Sequence, residues 1–246
     1  VAGKFKRGHA RGGAQYADAT ERDRTRSLQL LLASLAAAAD TPNKTYTRQH
    51  TLKQIAITIG HQRSGKSAWK LQSLTDLKTL PDYELGNRWG RSGRDPLGAP
   101  VTSDGKPLYY PIPTSWETAK DDGERWRWAL AQQSGGQQND STDQQWADFL
   151  HSQFGVRTLA SYSWFSSMDM AEQNGILQLH TLKDNETIAK LANGVKRFTQ
   201  PDDQNFITIY RGLSTRNEYA ADKLIQIYPD RRQHGKSVSL LKSTID

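Results

Sequence analysis

No cysteine occurs among the 246 residues. That excludes disulfides, thiolate metal sites and cysteine nucleophiles, and it leaves the compartment open, because many exported proteins also lack cysteine. Apolar residues are sparse, at 35% with a mean hydropathy of -0.77, so the chain is wet for a globular protein. Its 19 glycines and its Ser/Thr/Gln/Asp-rich stretches should supply long exposed loops. The length is nevertheless sufficient to bury a real core. No segment is long enough to cross a membrane. The only continuous apolar run, LLLASLAAAA from Leu30 to Ala39, follows Arg22, Arg24 and Arg26 and precedes Asp40. It has the form of the apolar region of an export signal, set about twenty residues inward. A signal should begin at the terminus, so a leucine- and alanine-rich core helix is the preferred reading.

Charge is the next imbalance. The formal net charge is +7, and Val1 to Arg26 holds seven Lys and Arg against Asp18, Glu21 and Asp23. Clustered basic residues of this kind release counterions from phosphates and could form a nucleic-acid arm. A base-stacking surface also needs interleaved aromatics, and only Phe5 and Tyr16 are present. Residues 1–26 therefore read as a basic, disordered leader, and nucleic acid is disfavoured as a partner.

The most sharply patterned stretch is Thr114 to Gln133, predicted as one helix. Thr114 and Glu117 have capping-box spacing, and Pro113 helps to set the start. Trp116, Ala119, Gly123, Trp126 and Leu130 recur at helical spacing, with Gly123 as a notch for a close neighbour, while Asp121, Asp122, Glu124, Arg125 and Arg127 lie mostly off the stripe. Further helices are predicted over Ser27–Ala39, Ala68–Leu80, Asp143–Phe154, Asn185–Phe198, Asn205–Tyr210, Glu218–Tyr228 and Lys236–Ile245. Leu52, Ile55, Ala56 and Ile59 fit a helix face, yet Ile55, Ile57 and Ile59 also alternate like a strand. Residues 81–113 form a Gly/Pro-rich loop with room for a short hairpin about Asp104-Gly105. The fold class is all-α: irregular helical hairpins, little sheet, and one helical domain over 27–246.

GHQRSGKS, from Gly60 to Ser67, satisfies the pattern G-x-x-x-x-G-K-[ST]. In such a loop the amides around Gly60 and Gly65 would curl about phosphates, Lys66 would reach the terminal phosphates and Ser67 would meet Mg²⁺. Gln54 to Ile59 could be the strand that precedes it. Four fixed positions also recur by accident in roughly one chain of this length in a hundred. No apolar strand ends in an acidic residue to hold the metal, and residues 114–246 offer helix after helix in place of a doubly wound sheet. Nucleotide binding is therefore the alternative. His9, His50, His61, His151, His180 and His234 lack metal-ligand spacing. Asp121-Asp122 and Asp202-Asp203 are adjacent pairs that should point apart. The seven tryptophans read as core packing, with Trp128 the best candidate for exposure. No catalytic residue, cofactor or metal is assigned.

AWKLQSLTDLKTLPDYE at 68–84, DGERWRWALAQ at 122–132, FLHSQFGV at 149–156, ETIAKLANGVKRFTQPDDQNFITIY at 186–210 and the final helix pair resemble the N-terminal helical region of large bacterial alpha-2-macroglobulin-like proteins. The resemblance covers most of residues 68–246. It implies stacked tetratricopeptide-like hairpins that precede β-sandwich domains, which carry the protease-trapping function. On the repeat, 217–246 becomes a helix pair with Ala221 and Leu224 inward on the first helix and Ser237, Leu241 and Thr244 inward on the second. Pro229 departs from the pattern and should end the first helix a turn early. Without cysteine there is no thioester, and no trapping residue carries over. The expectation is a fragment of a larger secreted, periplasmic or envelope protein that scaffolds or binds a protein partner or the adjoining β-sandwich domains, without catalysis.

Overall fold

The computed structural model describes residues 5–7, 14–18, 20–38, 43–60, 67–81, 84–85, 98–135, 139–161 and 178–245. In order, the elements are β1 (Phe5–Arg7), β2 (Ala14–Asp18), α1 (Thr20–Ala37), α2 (Lys44–Gly60), α3 (Ser67–Lys70), β3 (Glu84–Leu85), α4 (Asp122–Gln133), α5 (Asp140–Phe154), β4 (Glu186–Leu191), β5 (Gly194–Thr199), α6 (Phe206–Ser214), α7 (Glu218–Asp230) and α8 (His234–Ile245). The fold is predominantly helical. No helix among the described residues is long and apolar enough to cross a membrane.

Residue contacts divide the chain into two compact units, where the sequence suggests one domain over 27–246. The first comprises Val1–Arg63, Lys70–Asp95 and Tyr110–Gly135. In it β1, β2 and β3 form a small antiparallel sheet, so the stretch expected to be a disordered leader contains two strands and the start of α1. Helix α1 takes in the apolar run as far as Ala37, but on the surface: Leu30 is exposed, Ala38 alone of 30–38 is buried, and Ala39 lies outside the described residues. Helix α2 packs between α1 and α4. Its Leu52, Ile55, Ala56 and Ile59 are all buried, which decides the ambiguous segment in favour of helix over strand.

The 114–133 helix is shorter than expected. Ser115 and Thr118 hydrogen-bond each other's side chains and amides in a local turn, an arrangement that competes with helix formation. The cap moves to Asp121, whose carboxylate accepts from the Glu124 amide at 2.8 Å while the Glu124 side chain accepts from the Lys120 amide at 2.8 Å. The stripe is buried nonetheless, with Trp116 and Ala119 contributed by the turn. Gly123 is a true notch, since a Cβ there would lie 2.3 Å from the buried Tyr110 ring. Trp128 is half-buried, edge-on to Trp116 with centroids 5.8 Å apart. Residues 68–80 hold only the single turn α3, after which bends take over and Leu74 is exposed.

The second unit comprises Ser64–Trp69, Pro96–Tyr109 and Gly136–Asp246. Its core is built on α5, capped by Asn139, against α6. Residues 185–198, expected to be helical, form the β4–β5 hairpin instead. Thr187, Ile188, Ala189 and Leu191 are all buried, so β4 is covered on both faces and its apolar residues imitate a helix face. Asn193-Gly194, with Gly194 at φ 115, is the turn signal that decides it. The Ala99 amide donates to the Lys190 carbonyl and its carbonyl accepts from the Ala192 amide, both at 2.8 Å. Gly98 permits that approach, because a Cβ there would sit 2.3 Å from the Leu191 carbonyl. The Asp104-Gly105 hairpin forms, with Thr102 and Lys106 pairing through the backbone at 2.9 Å. Beyond these, α6, α7 and α8 pack in succession.

Candidate functional site

Asn205 starts α6 by accepting hydrogen bonds from the Ile207 and Thr208 amides. Facing residues on three helices then meet: Arg211 and Ser214 (i, i+3) on α6, Leu224 and Tyr228 (i, i+4) on α7, and Lys236, Ser239, Leu240 and Ser243 on α8. The α7–α8 turn sets their spacing. Helix α7 runs through Pro229 to Asp230 and does not end a turn early: the Ile225 carbonyl, deprived of the amide that Pro229 lacks, accepts from the Ser237 hydroxyl instead. Arg231, 1% exposed, follows and donates to the Lys183 carbonyl at 2.6 Å and the Glu186 carbonyl at 2.9 Å. Burial pulls its pKa below the ordinary arginine value. The Ser237 hydroxyl donates to the Ile225 carbonyl at 3.0 Å and holds α8 against α7. Of the residues expected inward, Ala221, Leu224 and Ser237 are buried, whereas Leu241 is exposed and the Thr244 side chain lies outside what is described.

The result is an open groove of about 490 Å³, within the usual range for binding clefts. Its floor is Leu224, Leu240 and Tyr228. Its rim carries a charge triad: Asp184 accepts from Arg211 at 2.7 Å and from Lys236 at 2.6 Å. Arg211 also donates to the Tyr228 hydroxyl at 2.9 Å, and Lys236 Nζ lies 5.5 Å from the centre of the Tyr228 ring. Burial works to raise the Asp184 pKa, but the bonds and charges of Lys236 and Arg211 outweigh it and hold the carboxyl below its ordinary value. One carboxylate against two cations leaves a positive charge at the rim of an apolar trough. That arrangement can hold an amphipathic segment by its apolar face and anchor an acidic side chain.

None of these rim residues stands out in the linear sequence, where Asp184, Arg211 and Lys236 are scattered over three elements. The signal available was the i, i+3, i+4, i+7 row of α8. The residues singled out for phosphate binding are described only in part. Gly60 is the last residue of α2, pressed against the Trp126 indole. Gly65 and Lys66 lie outside the described residues, and Ser67 opens the four-residue α3. Gln54–Ile59, the segment that could have been the preceding strand, lies inside α2.

Asp121 and Asp122 do point apart. Asp121 caps α4, while Asp122 turns inward to Arg24, Arg125 and Thr75 and is fully buried, not off the stripe as its spacing suggests. Asp203 accepts from Gln204 at 2.7 Å. His151 packs on Phe206, and burial, followed by the charge of Lys223, pushes its pKa down to about 4. Tyr210 and Tyr219 both donate to Asp148, at 2.6 and 2.9 Å. Among the described residues no group of three His, Asp or Glu is placed to hold a metal.

No family model matches the chain, and no curated protein or solved structure matches it either.

Proposed function

We propose that the chain is a non-catalytic protein-interaction module whose α6–α8 groove receives an amphipathic, acidic segment of a partner protein. The observation that carries this reading is the Asp184–Arg211–Lys236 triad on the rim of a trough floored by Leu224, Leu240 and Tyr228. Apolar burial supplies affinity, and the surplus cation supplies orientation and selectivity. The wider setting proposed is the tetratricopeptide-like N-terminal region of a secreted, periplasmic or envelope protein similar to bacterial alpha-2-macroglobulins. Support for that setting is the residue resemblance over 68–246, and the adjoining β-sandwich domains of such a protein are natural partners.

The test is fluorescence anisotropy of the full chain with a labelled helical peptide that carries leucines on one face and glutamates beside them. Saturable binding that weakens about tenfold in the double variant Arg211→Glu, Lys236→Glu, and also with added salt, is expected. Binding unaffected by the double variant, or no binding at all, overturns the reading. Stabilisation by Mg²⁺-ATP that disappears in Lys66→Ala would replace it with nucleotide binding. Salt-sensitive RNA or DNA binding lost on deleting Val1 to Gly13 would replace it with a nucleic-acid arm.

A further inference from the structure

The β4–β5 hairpin has two unlike edges. In β4 the groups that point away from β5 belong to Glu186, Ile188 and Lys190. The Lys190 amide donates to the Thr158 hydroxyl at 3.0 Å, the Lys190 carbonyl accepts from Ala99 and the Glu186 carbonyl accepts from Arg231. Since Lys190 pairs with Val195, Ile188 with Arg197 and Glu186 with Thr199, the antiparallel alternation directs the amides and carbonyls of Val195, Arg197 and Thr199 outward on β5. Among the described residues nothing pairs with those six groups. This is an open edge three hydrogen-bonding residues long on a strand that is nowhere fully buried.

We propose that the outer edge of β5 is a second docking site, independent of the α6–α8 groove, that takes an extended acidic segment of a partner as an added antiparallel strand. Main-chain pairing with Val195, Arg197 and Thr199 provides the adhesion. Charge selects the occupant. The strand reads GVKRFT, with two cations and no acid. Arg197 is bonded to Glu186 at 2.7 Å, whereas among the described residues exposed Lys196 meets only the Gly105 carbonyl, at 3.4 Å, and no carboxylate. A second copy of β5 would set Lys196 and Arg197 against their own counterparts, a like-charge pairing that disfavours self-association. A strand with glutamates beside Lys196 meets no such penalty.

The test uses the full chain and an acetylated seven-residue peptide alternating valine and glutamate, read by amide hydrogen exchange. The peptide should slow exchange at Val195, Arg197 and Thr199 by about tenfold, while Lys196 and Phe198, already paired to β4, stay unchanged. Methylating the peptide nitrogens that face β5 should abolish the effect, as should replacing its glutamates by lysines. Val195→Pro removes an outward donor without touching the ladder to β4 and should also abolish it. No slowing at millimolar peptide, or equal slowing by the methylated peptide, overturns the proposal. Arg211→Glu with Lys236→Glu should leave this protection intact, which separates the outcome from that of the groove.

Discussion

The two units each contain one carboxylate held by two cations and accompanied by a hydroxyl, and they use the set in opposite ways. Asp122 accepts from Arg24 at 2.9 Å, Arg125 at 3.2 Å and the Thr75 hydroxyl at 2.5 Å, and its side chain is 0% exposed. Asp184 accepts from Arg211 and Lys236, with 34% of its side chain exposed. Enclosure makes the difference. Around Asp122 the charges are enclosed, with Arg24 also meeting Glu21 at 3.5 Å, so the cluster locks α1 to α4 and is closed to a ligand. At Asp184 water screens the pairs, their worth to stability is small, and the second cation is available to an incoming acid.

Breaking the enclosed cluster gives the largest expected effect. Asp122→Ala leaves two guanidinium groups facing a buried void and should cost about 3 kcal/mol or more in urea unfolding. A loss below about 1 kcal/mol would erase the contrast between the clusters. Arg231→Met asks whether the second unit also depends on a buried charge. It strands the Lys183 and Glu186 carbonyls and should cost about 2 kcal/mol, seen as faster amide exchange in α7, α8 and β4.

His151 gives a pH-dependent effect confined to the second unit. Its folded pKa of about 4 lies below the unfolded value near 6.5. Between those values the unfolded chain takes up a proton that the folded chain refuses. Stability therefore falls as pH drops from about 6.5 to about 4, with a slope approaching about 1.4 kcal/mol per pH unit, and this contribution is flat above 6.5. His151→Phe should remove that slope, as measured by thermal unfolding across the range.

The smallest stability effect is expected from Asp184→Asn, under about 1 kcal/mol, because its partners are half exposed. The same change should tighten the acidic peptide by freeing Arg211 and Lys236. Looser binding would show that Asp184 positions the two cations more than it neutralises them.

Helices with one apolar face and polar neighbours were readable. The helices read over Asp143–Phe154 and Glu218–Tyr228 follow the 3.6-residue period and form as α5 and α7, whereas Leu52, Ile55, Ala56 and Ile59 fitted helix and strand alike until packing decided them. The reading fails where a segment is covered on both sides. Thr187 to Leu191 carries apolar residues that suit either period, and the Asn193-Gly194 turn was the better guide. It fails again at Ser115 and Thr118, whose hydroxyls bond the backbone locally and delay α4 to Asp121. The groove was not read from the sequence: the face chosen on the last helix was Ser237, Leu241 and Thr244, not the Lys236, Ser239, Leu240, Ser243 row, and nothing local links that row to Asp184 some fifty residues earlier.

By itself the sequence determined the short-range features: the absence of thiol chemistry, the helical periods of α5 and α7, the buried stripe of Trp116, Trp126 and Leu130, and the glycine notch at position 123. Tertiary structure alone decided which charges are enclosed and which are open. Asp122 and Asp184 have similar neighbours in kind but not in cover, and cover is a property of distant segments packed together. Local spacing cannot encode it, because the dielectric around a carboxylate depends on everything folded against it.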